Sequence, residues 1–183
     1  MYKRLCLLLL IPLWFTSFSI KGDKYICRNG KVTFFSYATS ENIKAENDQV
    51  LSLFEPETKK IAVSILMRAF QFEKSLMQEH FNDSYIESDI YPKATFEGVV
   101  LNFDKDLSGT QTKIINGDFT LRGISKPIKI KADITKKSNT YEIIGETELN
   151  VKDYKIKVPQ ILANRIAQTV KISFNFKYNH YEK

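Results

Sequence analysis

Between Val170 and Tyr178 apolar and polar residues alternate without a break. Val170, Ile172, Phe174, Phe176 and Tyr178 fall on one side, Lys171, Ser173, Asn175 and Lys177 on the other. A period of two places successive side chains on opposite faces of an extended strand, so one face is apolar and the other is solvated. The pattern recurs. Ile128, Ile130, Ala132 and Ile134 oppose Lys129, Lys131, Asp133 and Thr135. Tyr141, Ile143, Gly145, Thr147 and Leu149 oppose Glu142, Ile144, Glu146, Glu148 and Asn150. Further strands are expected at about 31–39, 43–54, 60–70, 93–103 and 113–123. The links EPETKK (55–60), DKDLSG (104–109) and KKSNT (136–140) are short and polar, which suits antiparallel connections. No strand–helix–strand repeat is present. Eight or so one-sided strands have two main solutions, a sandwich or a closed antiparallel barrel. The inward set mixes large side chains with Ala94, Gly98, Ala132 and Gly145. A barrel of about eight strands either fills itself or holds one slender apolar ligand.

One stretch breaks the period: QFEKSLMQEHFNDSYIESDIYPKATFEG, residues 71–98. Phe72, Leu76 and His80 sit four apart, as do Glu73, Met77 and Phe81, which predicts an amphipathic helix of about ten residues. Asn82, Asp83 and Ser84 are expected to end it, because their side chains compete for backbone groups. Pro92 then sets the approach to a strand from Lys93. The stretch reads as a helix-plus-loop plug over a barrel end or wall.

The N-terminus addresses the compartment. Lys3 and Arg4 precede the apolar run LCLLLLIPLWF, and small Ser17 and Ser19 follow it. This is the layout of a secretory signal peptide over 1–19, leaving 20–183 as one barrel domain in the periplasm or outside the cell. A spanning helix is the other explanation, but the run is short for one and Pro12 interrupts it. Cys6 lies inside the run, away from a lipoprotein position, so Cys27 is the single thiol of the mature chain. It stands as a small strand residue or as a link between chains in a homodimer. The formal charge of +6 includes Lys3 and Arg4. The remaining lysines alternate with apolar residues along strands, as on a solvated face. No nucleic-acid partner is expected. Weak contact with an anionic membrane surface is compatible with the charge.

Catalytic patterns are sparse. His80 and His180 lie far apart, no cysteine pair exists after the leader, and no metal or other cofactor is expected. No glycine-flanked nucleophile or phosphate-cradling loop appears. The chain is therefore read as a non-enzyme. The rival readings are an enzyme acting on a bound lipid or quinone, with His80, Glu79 and Asp83 as acid–base groups, and a solid, non-binding envelope stress protein. What remains is an apolar excess. The helix carries Phe72, Leu76, Met77 and Phe81. Strands carry Phe34, Ile65, Met67, Phe96, Phe119 and Leu121, and later Ile130, Leu149, Ile172, Phe174 and Phe176. A filled core is the ordinary explanation. The binding explanation has these residues lining an unfilled space, with His80 and Tyr91 as a polar handle for the ligand.

Two segments resemble the YceI-like family of periplasmic polyisoprenoid-binding proteins. MQEHFNDSYIESDIYPKATFEG (77–98) is similar to the family's helix, histidine, acidic loop, tyrosine-proline and strand. GDFTLRGISKPIKIKADI (117–134) resembles its glycine-rich strand pair, with Ser125 where threonine is commoner. NVKDYKIKVPQ (150–160) is a weaker echo, with Lys155 where the family often has glycine. The resemblance implies an elongated, lipocalin-like antiparallel barrel of about eight strands around an apolar tunnel. The implied ligand is a long isoprenoid or related amphipathic lipid, held for carriage or storage in the cell envelope. His80, Asp83, Tyr91, Pro92, Gly117, Gly123 and Pro127 fall on motif positions that read as fold-defining, and Phe96 and Leu121 on positions that line the tunnel.

Overall fold

Each alternating stretch forms a strand, and the strands close on one another. A computed structural model describes residues 22–37, 42–156 and 168–182. The expected leader, 1–19, lies outside them. The strands are β1 (Tyr25–Ser36), β2 (Ile43–Glu55), β3 (Lys60–Leu66), β4 (Gln71–Phe72), β5 (Lys93–Val100), β6 (Gly109–Leu121), β7 (Ile124–Lys137), β8 (Thr140–Asn150) and β9 (Thr169–His180). One short helix, α1 (Ser75–His80), lies between β4 and β5. The sheet order is β1-β9-β8-β7-β6-β5-β3-β2, and β2 pairs back with β1. The result is a closed eight-stranded antiparallel barrel, with β4 as an extra strand on β2. Closure leaves no free edge along the barrel wall.

Tight turns hold the register. β6 and β7 meet at Arg122 and Gly123, with φ of 51° and 71°. Two consecutive positive φ values match the twist of a two-residue hairpin. β1 begins at Tyr25, earlier than the alternation near 31 suggests, because Gly30 sits at an irregularity that shifts the period.

The plug differs from its expectation in three ways. Phe72 is not helical; as part of β4 it pairs with Ala45 of β2. Met67 is not on a strand but on a 3-10 turn, Met67–Ala69, between β3 and β4. β3 and β4 occupy the same side of β2, and buried Asn47 bridges the break between them. Its Nδ2 donates to the Leu66 carbonyl at 2.8 Å, and its Oδ1 accepts from the Gln49 amide at 2.9 Å. The side chain thus satisfies backbone groups where the ladder is interrupted. Finally, Asn82–Ser84 do not end the helix. α1 continues as a π-helical turn over Phe81–Ile86 and stops at Glu87, whose φ is 56°. Asn82 is turned inward instead. It donates to the Gln78 carbonyl at 3.0 Å and accepts from Ser88 Oγ at 2.8 Å, which stabilises the wider turn.

The interior divides along the barrel axis. At one end Phe54, Phe103, Tyr25, Tyr141 and Tyr178 fill the cross-section. Phe54 lies 5.3 Å from Tyr141 and 5.9 Å from Tyr178, ring centre to ring centre. The Tyr178 hydroxyl shares a 2.7 Å hydrogen bond with Ser52 Oγ, which also donates to the Ala62 carbonyl. Cys27 is buried in the same core, and burial raises its thiol above the ordinary range. That placement removes it from a link between chains. α1 and the turn after β8 (Val151–Tyr154) cover the opposite end.

Candidate functional site

The covered end is not filled. A cavity of about 360 Å³ lies between the strand walls and the two cover segments. Its walls follow from the alternation. Phe34 of β1, Ile65 of β3, Phe96 of β5, Phe119 and Leu121 of β6 and Ile130 of β7 all line it. Leu149 of β8 and Ile172, Phe174 and Phe176 of β9 complete the expected strand set. Glycines make room for these rings, Gly98 and Gly145 among them. A Cβ on Gly145 would stand 2.6 Å from the Phe174 ring, and one on Gly98 would stand 2.7 Å from that of Phe96.

Met67 from the turn after β3, Phe72 from β4, and Met77, His80 and Phe81 from α1 and its continuation also reach the cavity. Phe34 is the hub of this aromatic wall. Its ring stacks on Phe81 at 5.4 Å and meets Phe70 and Phe72 edge-on at 5.3 and 5.5 Å.

Two expected residues lie elsewhere. Leu76 is 60% exposed and points away, because a helix of six residues turns one side to solvent. Tyr91 packs outside the cavity against Gly123 and the guanidinium of Arg122. Other lining residues were missed. Ile61, Val63 and Val170 carry the period-two signal and were legible from it. Val151, Tyr154 and Ile156 carry no period, since they belong to a turn whose burial depends on the strands beneath.

The lining is nearly all hydrocarbon. Its side chains with an N–H or O–H group are Ser36, His80, Tyr85, Thr147 and Tyr154; among the described residues no lysine or arginine lines it. Ser36 Oγ is hidden from water and has no hydrogen-bond partner among the described residues. Burial raises the Tyr85 hydroxyl and pushes that of Tyr154 up to about 12, so both stay neutral at physiological pH. Such a space favours an apolar guest with at most one or two polar contacts.

The acid–base candidates do not assemble. Glu79, His80 and Asp83 are all exposed, and no side-chain hydrogen bond or ion pair joins them. His180 sits at the filled end, where its ring meets Tyr25 edge-on at 5.4 Å. Among the described residues no group of three or more His, Cys, Asp or Glu could hold a metal ion.

Known proteins share both sequence pattern and architecture. The model of the YceI-like domain matches residues 28–178. UPF0312 proteins of Pseudomonas savastanoi pv. phaseolicola and Pseudomonas syringae pv. syringae are each 26% identical over 130 residues, or 67% of this chain. The match spans 64% of the length of those relatives. Among solved structures, a polyisoprenoid binding domain from Saccharophagus degradans, implicated in plant cell wall breakdown, superposes with a TM-score of 0.73 at 14% identity. It covers 86% of this chain and 98% of that one. Burkholderia cenocepacia BcnA gives 0.69 at 13% identity, covering 81% and 95%. The Campylobacter jejuni YceI protein gives 0.60 at 18% identity, covering 78% and 87%. At such identities the likeness concerns the fold.

Proposed function

The chain belongs to the YceI-like domain family, and from that premise we propose that it binds a long-chain isoprenoid or related amphipathic lipid inside its barrel. The observation that carries this reading is the cavity of about 360 Å³, walled by aromatic and aliphatic side chains at one end of a closed barrel. The likeness to the Saccharophagus degradans polyisoprenoid binding domain supports the same ligand class. Binding is burial. Each methylene moved from water into the cavity contributes about 0.8 kcal/mol, against the cost of ordering the chain. Cavity length and width select the chain, and His80, which lines the cavity, is our candidate for meeting a head group. The leader expected at 1–19 assigns this carriage or storage to the periplasm or the cell exterior.

Purified full-length protein, extracted with organic solvent and analysed by mass spectrometry, tests the proposal. The expected result is an isoprenoid near one-to-one stoichiometry. Repeated preparations free of lipid, together with failure to take up farnesol, would sink it.

A further inference from the structure

We propose that Arg122 is the latch of the cavity, the side chain that keeps its two cover segments together and whose release sets how fast a bound chain exchanges. The inference rests on the lipid-cavity reading above.

The two segments come from distant parts of the chain. Residues 75–91 contribute Met77, Phe81, Tyr85 and Ile86 to the lining; residues 151–156 contribute Val151, Tyr154 and Ile156. Neither segment is held by a ladder of strand hydrogen bonds. Among the described residues no hydrogen bond or ion pair joins one directly to the other. Arg122, from the tip of the β6–β7 hairpin, connects both. One Nη pairs with the Glu87 carboxylate, and the other donates to the Lys155 carbonyl at 2.6 Å. The guanidinium also lies 5.6 Å from the centre of the Tyr91 ring. The side chain is only 14% exposed, and its Nε is hidden without a partner among the described residues.

The backbone converges on the same point. Glu87, Arg122 and Lys155 have φ of 56°, 51° and 53°. Each has a local reason: Glu87 ends the π-helical turn, Arg122 opens the two-residue hairpin and Lys155 caps the Val151–Tyr154 turn, so three chain reversals bring these residues together. Here one contact set joins all three. A planar guanidinium can address a carboxylate and a carbonyl from separate N–H edges; an ammonium cannot reproduce that geometry. Breaking these contacts frees residues 151–156 from residues 75–91, while the barrel strands stay paired. A bound chain then has a route past Tyr85 and Tyr154.

The test measures exchange of anthraniloyl-labelled farnesol from the full-length protein on adding excess unlabelled farnesol. Arg122→Asn removes the guanidinium but tolerates the left-handed turn. It is expected to speed both uptake and release about tenfold, with affinity changed by less than about threefold. Glu87→Gln keeps the shape and loses the charge; about threefold acceleration is expected. Deuterium exchange should rise at 151–156 and stay unchanged in β5–β9.

Unchanged exchange rates in both variants overturn the latch. So does faster release matched by an equal loss of affinity, which marks an ordinary contact. If Arg122→Asn fails to fold, the Glu87→Gln rates decide alone. If the wild type takes up no farnesol, the carriage reading fails separately, and unchanged deuterium protection at 151–156 in the variants overturns the latch on its own.

Discussion

Leu121 shows what a single side chain decides. It ends β6, faces the cavity and adjoins the hairpin tip. Leu121→Trp is expected to fill part of the space and reduce farnesol uptake at least about tenfold, while overpacking costs about 1–3 kcal/mol of stability. Thermal unfolding and a binding titration on the same sample separate the two effects; full uptake by a folded variant would mean that Leu121 does not bound the ligand. Tyr178 gives the opposite case. Tyr178→Phe removes one partner of the 2.7 Å bond to Ser52, yet Ser52 keeps the Ala62 carbonyl. A loss of about 1 kcal/mol in denaturant melts is expected, with uptake unchanged because the filled end lies away from the cavity. At this scale the alternation identified the strand-borne lining well. The helical period misplaced Leu76, since it gives a face but not what that face meets, and the expectation of Tyr91 as a polar handle rests only on its place before Pro92.

The elements were legible in proportion to their regularity. β5 to β9 were read to within a few residues because alternation continues through them. The plug was read as a helix with the wrong ends, because Asn82 satisfies the turn from inside and β4 borrows Phe72 as a strand partner. Asn47 bridges the break after β3 through tertiary hydrogen bonds, which no local pattern encodes. One element contact carries a pH dependence. Glu46 on β2 is paired with Lys31 of β1 and Lys44, and hydrogen bonds from those lysines draw its carboxyl down from 4.5 to about 2. A depressed carboxylate contributes stability above its unfolded value, and that contribution is lost as pH falls from about 4.5 toward 2. The pair is solvent-exposed, so the effect is small and sensitive to salt. Glu46→Gln should flatten the acid limb of the melting-temperature profile in that window. An unaltered limb would remove this pair from the explanation. Gly145 couples an element to the site. Gly145→Val is expected to push the Phe174 ring off its seat, lowering both melting temperature and uptake.

For the molecule as a whole, a barrel followed from the count of one-sided strands and the absence of crossover helices. Whether it was hollow did not follow. The same phenylalanines serve a solid interior or a lined one, and the placement of glycines such as Gly98 and Gly145 and of the cover turns distinguishes them. A ligand that binds only the folded state raises its melting temperature by mass action. Saturating farnesol should therefore stabilise the wild type in differential scanning calorimetry, and Leu121→Trp should lose that increment.

The division of the interior has one further consequence. The aromatic end packs Phe54, Tyr141 and Tyr178 against one another, away from the cavity, so this part of the core does not depend on what the cavity holds. On the proposed carriage, synthesis and loading are then separate events: the chain should fold before it is loaded and withstand unloading without melting.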